Sequence, residues 1–181
     1  DVAKLHRSIL PKQIEANRVV QLLRAMFNQA EKIGHVPEDH PNPCRHVELS
    51  KEKSGTRYLD HEELEKLEAA IRQEDITIQA IIQLLLRLGM RKQECLQLKW
   101  EDVHVEQVGI EKPHVYVGNT KNGRDLRLPL NEAAQNIFRK IPVIDDSAHV
   151  FPSPRLENKP IADIKRQWER IRTAASLPGV T

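Results

Sequence analysis

The stretch from Ile76 to Gly89, ITIQAIIQLLLRLG, is apolar almost all the way round a helix, and it constrains the fold more than any other part of the chain. A helix with no polar face has to be surrounded by other elements. No apolar run reaches the roughly eighteen residues that a membrane span requires, so this is expected to be the central, most buried helix of a soluble domain. Its neighbours can be read on either side. Asp60 is placed to cap a helix in which Glu63, three residues on, approximates a capping box and Leu64, Leu67 and Ile71 form the buried stripe. Downstream, Leu96 and Leu98 in RKQECLQLKWEDV predict a short amphipathic helix running into a strand, and further helices are expected at about Glu132 to Lys140 and Ile161 to Ala175.

Between them, HVYVGNTK and RDLRLPL alternate in polarity on either side of Asn122-Gly123. Asn-Gly is the strongest short-range signal for a two-residue hairpin turn, because both central residues need positive φ. Lys121 and Arg124 would flank the tip. The class is therefore mainly α (α+β) with a small three-stranded antiparallel sheet.

The N-terminal third reads differently. Asp1 to Leu10 looks like the tail of a helix stopped by Pro11, and Asn17 to Ile33 spaces Val19, Leu22, Leu23, Met26, Ala30 and Ile33 as one face of an amphipathic helix capped by Gly34. The segment GHVPEDHPNPCRHVELSKEKSGTRY, with three prolines and two glycines, suits a loop followed by an interdomain linker. The expected division is 1–50, a linker at 51–57, and 58–181. A chain of 181 residues with 39% hydrophobic content can supply one good core, or one core and part of a second.

The formal charge of +2 says little about partners, but its distribution is uneven. Acids dominate Asp60 to Asp75, whereas basic residues lead in three places: Lys4 to Arg24, around Lys121, Arg124 and Arg127, and in Lys165, Arg166, Arg170 and Arg172. These form either a basic face opposite the acidic segment or an ordinary solvated surface. Cys44 and Cys95 are too few for a disulfide framework and the N-terminus has no signal-peptide pattern, so a reducing, cytoplasmic setting is expected. His35, His40, Cys44 and His46 crowd one loop without a zinc-ligand spacing, and no metal is expected there. Trp100 is assigned to the core.

Arg91 follows the glycine break at the end of the buried helix, and Glu94 lies one turn beyond it. Two readings fit. The guanidinium can face a cleft and bind a phosphate with paired donors, or it can form a local surface ion pair with Glu94 at i,i+3 spacing.

LGMRKQECLQLKWEDV, then TKNGRDLRLPL, then HVFPSP resembles, in order and spacing, the catalytic domain of tyrosine recombinases, the phage integrase family. The upstream ANRVVQLLRAMFNQAEKIGHV and NPCRHVELSKEKSGTRYLDHEEL are similar to that family's helical core-binding (SAM-like) domain and its linker. The resemblance implies site-specific DNA recombination, with one strand cut by a tyrosine through a 3′-phosphotyrosyl link and then rejoined. It implies that Arg91 stabilises charge on the phosphate, that Lys121 protonates the leaving 5′-oxygen, and that Glu94 orients basic groups. Arg18, Arg24 and Arg124 are the residues expected to touch DNA. The implied partners are double-stranded DNA and further copies of the protein, a tetramer in this family, with no cofactor. A prokaryotic cytoplasm or nucleoid and a phage or other mobile element are the implied setting.

The family's His-x-x-Arg box and nucleophilic tyrosine have no match in these residues. Tyr58 and Tyr116 stand elsewhere and are given packing or surface roles. The expectation is of a catalytically incomplete fragment, holding part of the core-binding domain and the first part of the catalytic domain. A non-catalytic DNA-binding or regulatory protein that retains the architecture is the alternative. A helical protein-interaction module is the remote third.

Overall fold

The Asp1 carboxylate accepts from the amides of Ala3 and Lys4 and so caps α1, Val2–Ile9. Pro11 then falls in a single 3-10 turn, Leu10–Lys12, where its missing N–H costs nothing. The chain passes directly into α2, Gln13–Lys32, which therefore begins before Asn17. The computed structural model describes residues 1–37, 39–52, 57–118, 125–144 and 147–180. They divide into two compact units, Asp1–Arg57 and Tyr58–Thr181. No helix among the described residues is long and apolar enough to cross a membrane.

In the first unit, α2 ends as its sequence requires. Gly34 takes φ +75°, and the amides of Gly34 and His35 bond back to the carbonyls of Glu31 and Ala30, a complete Schellman motif. The buried face is not the one expected. Ala16, Asn17 and Val20 are buried, while Leu22 and Met26 are 63% and 57% exposed and Ile33 is also exposed. Polar anchors decide the orientation. Asn17 Oδ1 accepts from the Ser50 amide (2.9 Å), and Asn17 Nδ2 donates to Ser50 O (2.7 Å) and Glu52 Oε1 (2.8 Å), so the side chain pairs with the returning chain much as a peptide group would. His6 Nε2 completes the set at 3.2 Å. Replacing Asn17 by Ala strands both backbone groups of Ser50 and is expected to cost about 2–3 kcal/mol. Urea unfolding followed by a probe in this unit measures it; a loss below about 0.5 kcal/mol would mean that water replaces the amide. Cys44 is fully buried while His35, His40 and His46 are exposed.

The second unit opens on α3, His61–Ile71, with both halves of the capping box made: Glu63 N to Asp60 Oδ1 at 2.8 Å and Asp60 N to Glu63 Oε2 at 3.2 Å. Leu67, Ala70 and Ile71 are buried, but Leu64 is partly exposed. Asp75 caps α4, Ile76–Leu88, and Gly89 closes it with φ +62°. α4 packs against α3, against α5, Lys92–Leu96, and against α6, Glu132–Lys140. Ile78, Ile81, Ile82 and Leu84 lie inside, yet Ile76 and Leu86 are exposed, so the helix is central without being enclosed on every side.

A 3-10 turn at Trp100–Asp102 separates α5 from the sheet, which is three-stranded and antiparallel in the order β1, Val103–His104; β2, His114–Val117; β3, Leu126–Pro129. Leu98 belongs to neither helix nor strand; its carbonyl accepts from Val150 N at 2.9 Å. The last helix, α7, spans Lys165–Ala174 and starts after Ile161, because Ile161 N bonds to Phe151 O and holds that stretch extended. α7 packs on α3, and Arg170 grips Glu74 through Nε (2.7 Å) and Nη2. Part of the basic C-terminal segment therefore lies beside the acidic one, not opposite it. Hydrogen bonding from Arg170 outweighs burial and holds the Glu74 carboxyl below its ordinary range.

Candidate functional site

Arg91 occupies the N-cap position of α5, immediately after the left-handed Gly89 and the buried Met90. The turn at Gly89 breaks α4 without loss of packing, since Met90 re-enters the core on one side and Cys95 and Leu96 anchor α5 on the other. A short helix then starts with Arg91 facing outward. Arg91 is 56% exposed and Glu94 16%.

Glu94 binds Arg91 twice. Its Oε2 accepts from the Arg91 amide at 2.9 Å and its Oε1 from Arg91 Nη1 at 2.6 Å. Burial acts to raise the Glu94 carboxyl, but the amide and guanidinium of Arg91 together outweigh it and hold the group below the usual glutamate range. Glu94 is therefore ionised at neutral pH and holds the guanidinium at Nη1, and a planar guanidinium carries five donors in all. Such a fork is suited to an anion with two oxygens in a plane. The i,i+3 ion pair read from the sequence is thus present, and it leaves Arg91 accessible.

Two further ties around α5 could not be read from the sequence. Lys92 Nζ donates to Asp163 Oδ1 at 2.8 Å and Gln93 Nε2 to Ala162 O at 3.3 Å. The partners lie 71 and 69 residues away, and nothing in the local pattern marks them. Trp100, assigned to the core, packs against it, and its amide bonds to Ala148 O. Burial pushes the Cys95 thiol up to about 12, so this cysteine is an inert core group.

Lys121, Arg124 and the Asn122-Gly123 turn lie outside the described residues. The flanking strands carry one finding. A two-residue turn at Asn122-Gly123 would pair Val117 with Leu128, but Val117 pairs with Leu126 and Val115 with Leu128. A shift by two residues leaves every side chain on its face. The alternating pattern of the two strands therefore fixes the face that each side chain takes. Tyr116 hydrogen-bonds to Asp125, which raises its phenol above the ordinary range. Tyr58 is 87% exposed at the start of the second unit.

In the first unit, Arg18 is exposed, in contact with Gln21 and Glu52. Arg24 is half-buried, and its Nη2 donates to the carbonyls of Cys44 (2.9 Å) and Val47 (3.2 Å). It holds the return loop, and this competes with any contact to an external phosphate.

The family model described as the phage integrase family matches residues 57–179. The chain is 29% identical over 168 residues to the tyrosine recombinase XerA of Pyrococcus furiosus, covering 91% of the chain and 54% of the relative. It is 31% identical over 136 residues to a shufflon-specific DNA recombinase of Escherichia coli, covering 73% and 34%. The chain thus spans about half, or less, of the length of these relatives. A lambda integrase tetramer bound to a Holliday junction superposes with a TM-score of 0.72 at 20% identity, over 99% of this chain and 52% of that one. At that identity the likeness is one of fold.

Proposed function

The chain belongs to the phage integrase family, and from that premise we propose that the protein of which these residues are part cuts and rejoins DNA at specific sites through a 3′-phosphotyrosyl intermediate. The observation that carries the reading is Arg91, displayed at the start of α5 with its backbone amide and guanidinium Nη1 both held by Glu94. In phosphoryl transfer, charge spreads over the non-bridging oxygens, and a fixed cation stabilises it without reorganising during the step. Arg91 takes that role. Glu94 holds it in place and exchanges no proton with the substrate, because a carboxylate kept ionised by a guanidinium is a weak base. Lys121 donates the proton that the leaving 5′-oxygen needs. The nucleophilic tyrosine is neither Tyr58 nor Tyr116.

The substrate is double-stranded DNA, held by residues 1–50 as part of a core-binding domain, after a linker at 51–57, and by the second unit. Arg18 and Arg124 contact phosphates there, and Arg24 holds the return loop of the first unit. Several copies assemble on the DNA, as in the lambda integrase tetramer. The setting is the cytoplasm or nucleoid of a prokaryote, and the gene is part of a mobile element. Two measurements test the reading. Duplex binding by the 181-residue chain should weaken steeply with salt, with log K falling by about 0.9 per neutralised phosphate for each unit of log[salt]. Affinity indifferent to salt would sink it. Trapping of a covalent adduct on a nicked duplex by the full-length protein separates a recombinase from a binder that keeps only the architecture.

A further inference from the structure

A five-residue helix has too few internal hydrogen bonds to hold a side chain on its first turn, so whatever fixes Arg91 beyond Glu94 must come from outside α5. The C-terminal end is braced by Val150 N to Leu98 O (2.9 Å) and Trp100 N to Ala148 O (3.0 Å). The N-terminal end is braced by the two ties to Ala162 and Asp163. The Asp163 carboxylate is shared: its Oδ1 also accepts from the amides of Ile164 (2.7 Å) and Lys165 (3.1 Å), where α7 begins. One oxygen thus joins the turn carrying Arg91 to the first residues of the last helix. Lys92 and Asp163 are 45% and 48% exposed, a setting in which an ion pair adds little to global stability.

We propose that Lys92 and Gln93 are positioning residues for Arg91, and that Ala162 and Asp163 are the anchors through which they act. Together they set the direction from which the guanidinium meets a phosphate. The inference rests on the reading of Arg91 given above. It gives the ties a purpose that their exposure denies them as stabilisers: misplacing a catalytic group by about 1 Å can cost on the order of a hundredfold in rate.

The test uses full-length protein in single-turnover cleavage at saturating duplex. Lys92→Met should slow cleavage by about tenfold, a partial misplacement, with duplex affinity and thermal midpoint essentially unchanged. Asp163→Asn, which keeps the acceptor for the α7 amides but loses the charge, should reproduce that loss. The double variant should be no slower than either single one, because both break the same tie. Lys92→Arg, which can still reach Asp163, should restore the rate. On a duplex with a neutral methylphosphonate at the cleaved position, the Lys92→Met loss should shrink, since the charge that Arg91 stabilises is gone. The proposal is overturned by an unchanged rate in Lys92→Met, by losses that multiply in the double variant, or by a loss confined to affinity, which would make Lys92 a direct DNA contact. If Lys92→Met and Asp163→Asn fail in these ways while Arg91→Ala remains inactive, only this inference falls. If Arg91→Ala cleaves at the parental rate, the catalytic reading falls and takes the inference with it.

Discussion

Arg91→Ala and Lys121→Ala should both nearly abolish cleavage of an ordinary phosphodiester by the full-length protein, and a 5′-bridging sulfur should rescue only the lysine variant. In the proposed function the two residues act on different atoms. Arg91 is assigned to the charge on the non-bridging oxygens, and removing a fixed donor of that kind costs about a thousandfold or more. Sulfur at the bridging position leaves that charge as it was, so the arginine variant stays slow. Lys121 is assigned the proton for the departing oxygen, a contribution of about a hundred- to ten-thousandfold in general acid catalysis. A thiolate is a far better leaving group than an alkoxide and departs unprotonated, so the lysine variant recovers. Single-turnover rates for both variants on both substrates decide the matter. Equal rescue, or none for Lys121→Ala, would mean that the lysine touches DNA without protonating the leaving group.

Phe151→Ala should unfold the second unit more readily by about 3–5 kcal/mol, the range for a buried aromatic truncated to Ala. Phe151 is completely buried, and its carbonyl accepts from Ile161 N. Next to it, Val150 bonds to Leu98 at the end of α5. The side chain therefore fills the core at the place where the HVFPSP segment braces the helix that carries Arg91. A cavity there leaves its lining without partners, since the core around it relaxes only in part. Leu86→Ala is the control: this leucine is 56% exposed and its loss should cost less than about 0.5 kcal/mol. Thermal or urea unfolding compares the two. If the variants differ by less than about 1 kcal/mol, Phe151 does not hold the core as described.

How much was legible depended on how far apart the partners lie. The Asp60 and Glu63 capping box, the Gly34 and Gly89 terminators and the bounds of α6 were all read from neighbouring residues, since each rests on bonds within one or two turns. The Arg91 and Glu94 pair belongs to the same class. Two expectations needed correction because a distant partner intervened. α2 turned its polar Asn17 inward to meet Ser50, leaving Leu22 and Met26 exposed. Residues before Lys165 stayed extended because Phe151 took the amide of Ile161. Leu64 lost its place in the buried stripe.

From the sequence alone came the helical class with its small sheet, the family, and an arginine at a helix start with its glutamate one turn on. Capping, periodicity and glycine conformation act over a few residues, and their energies do not depend on what packs against them. The tertiary structure alone decided which face of α2 is buried, where α7 begins, and that Lys92 and Gln93 reach Asp163 and Ala162. Such contacts form only after the chain has closed a loop of many residues. Burial supplies the energy for that closure, and no local pattern encodes it.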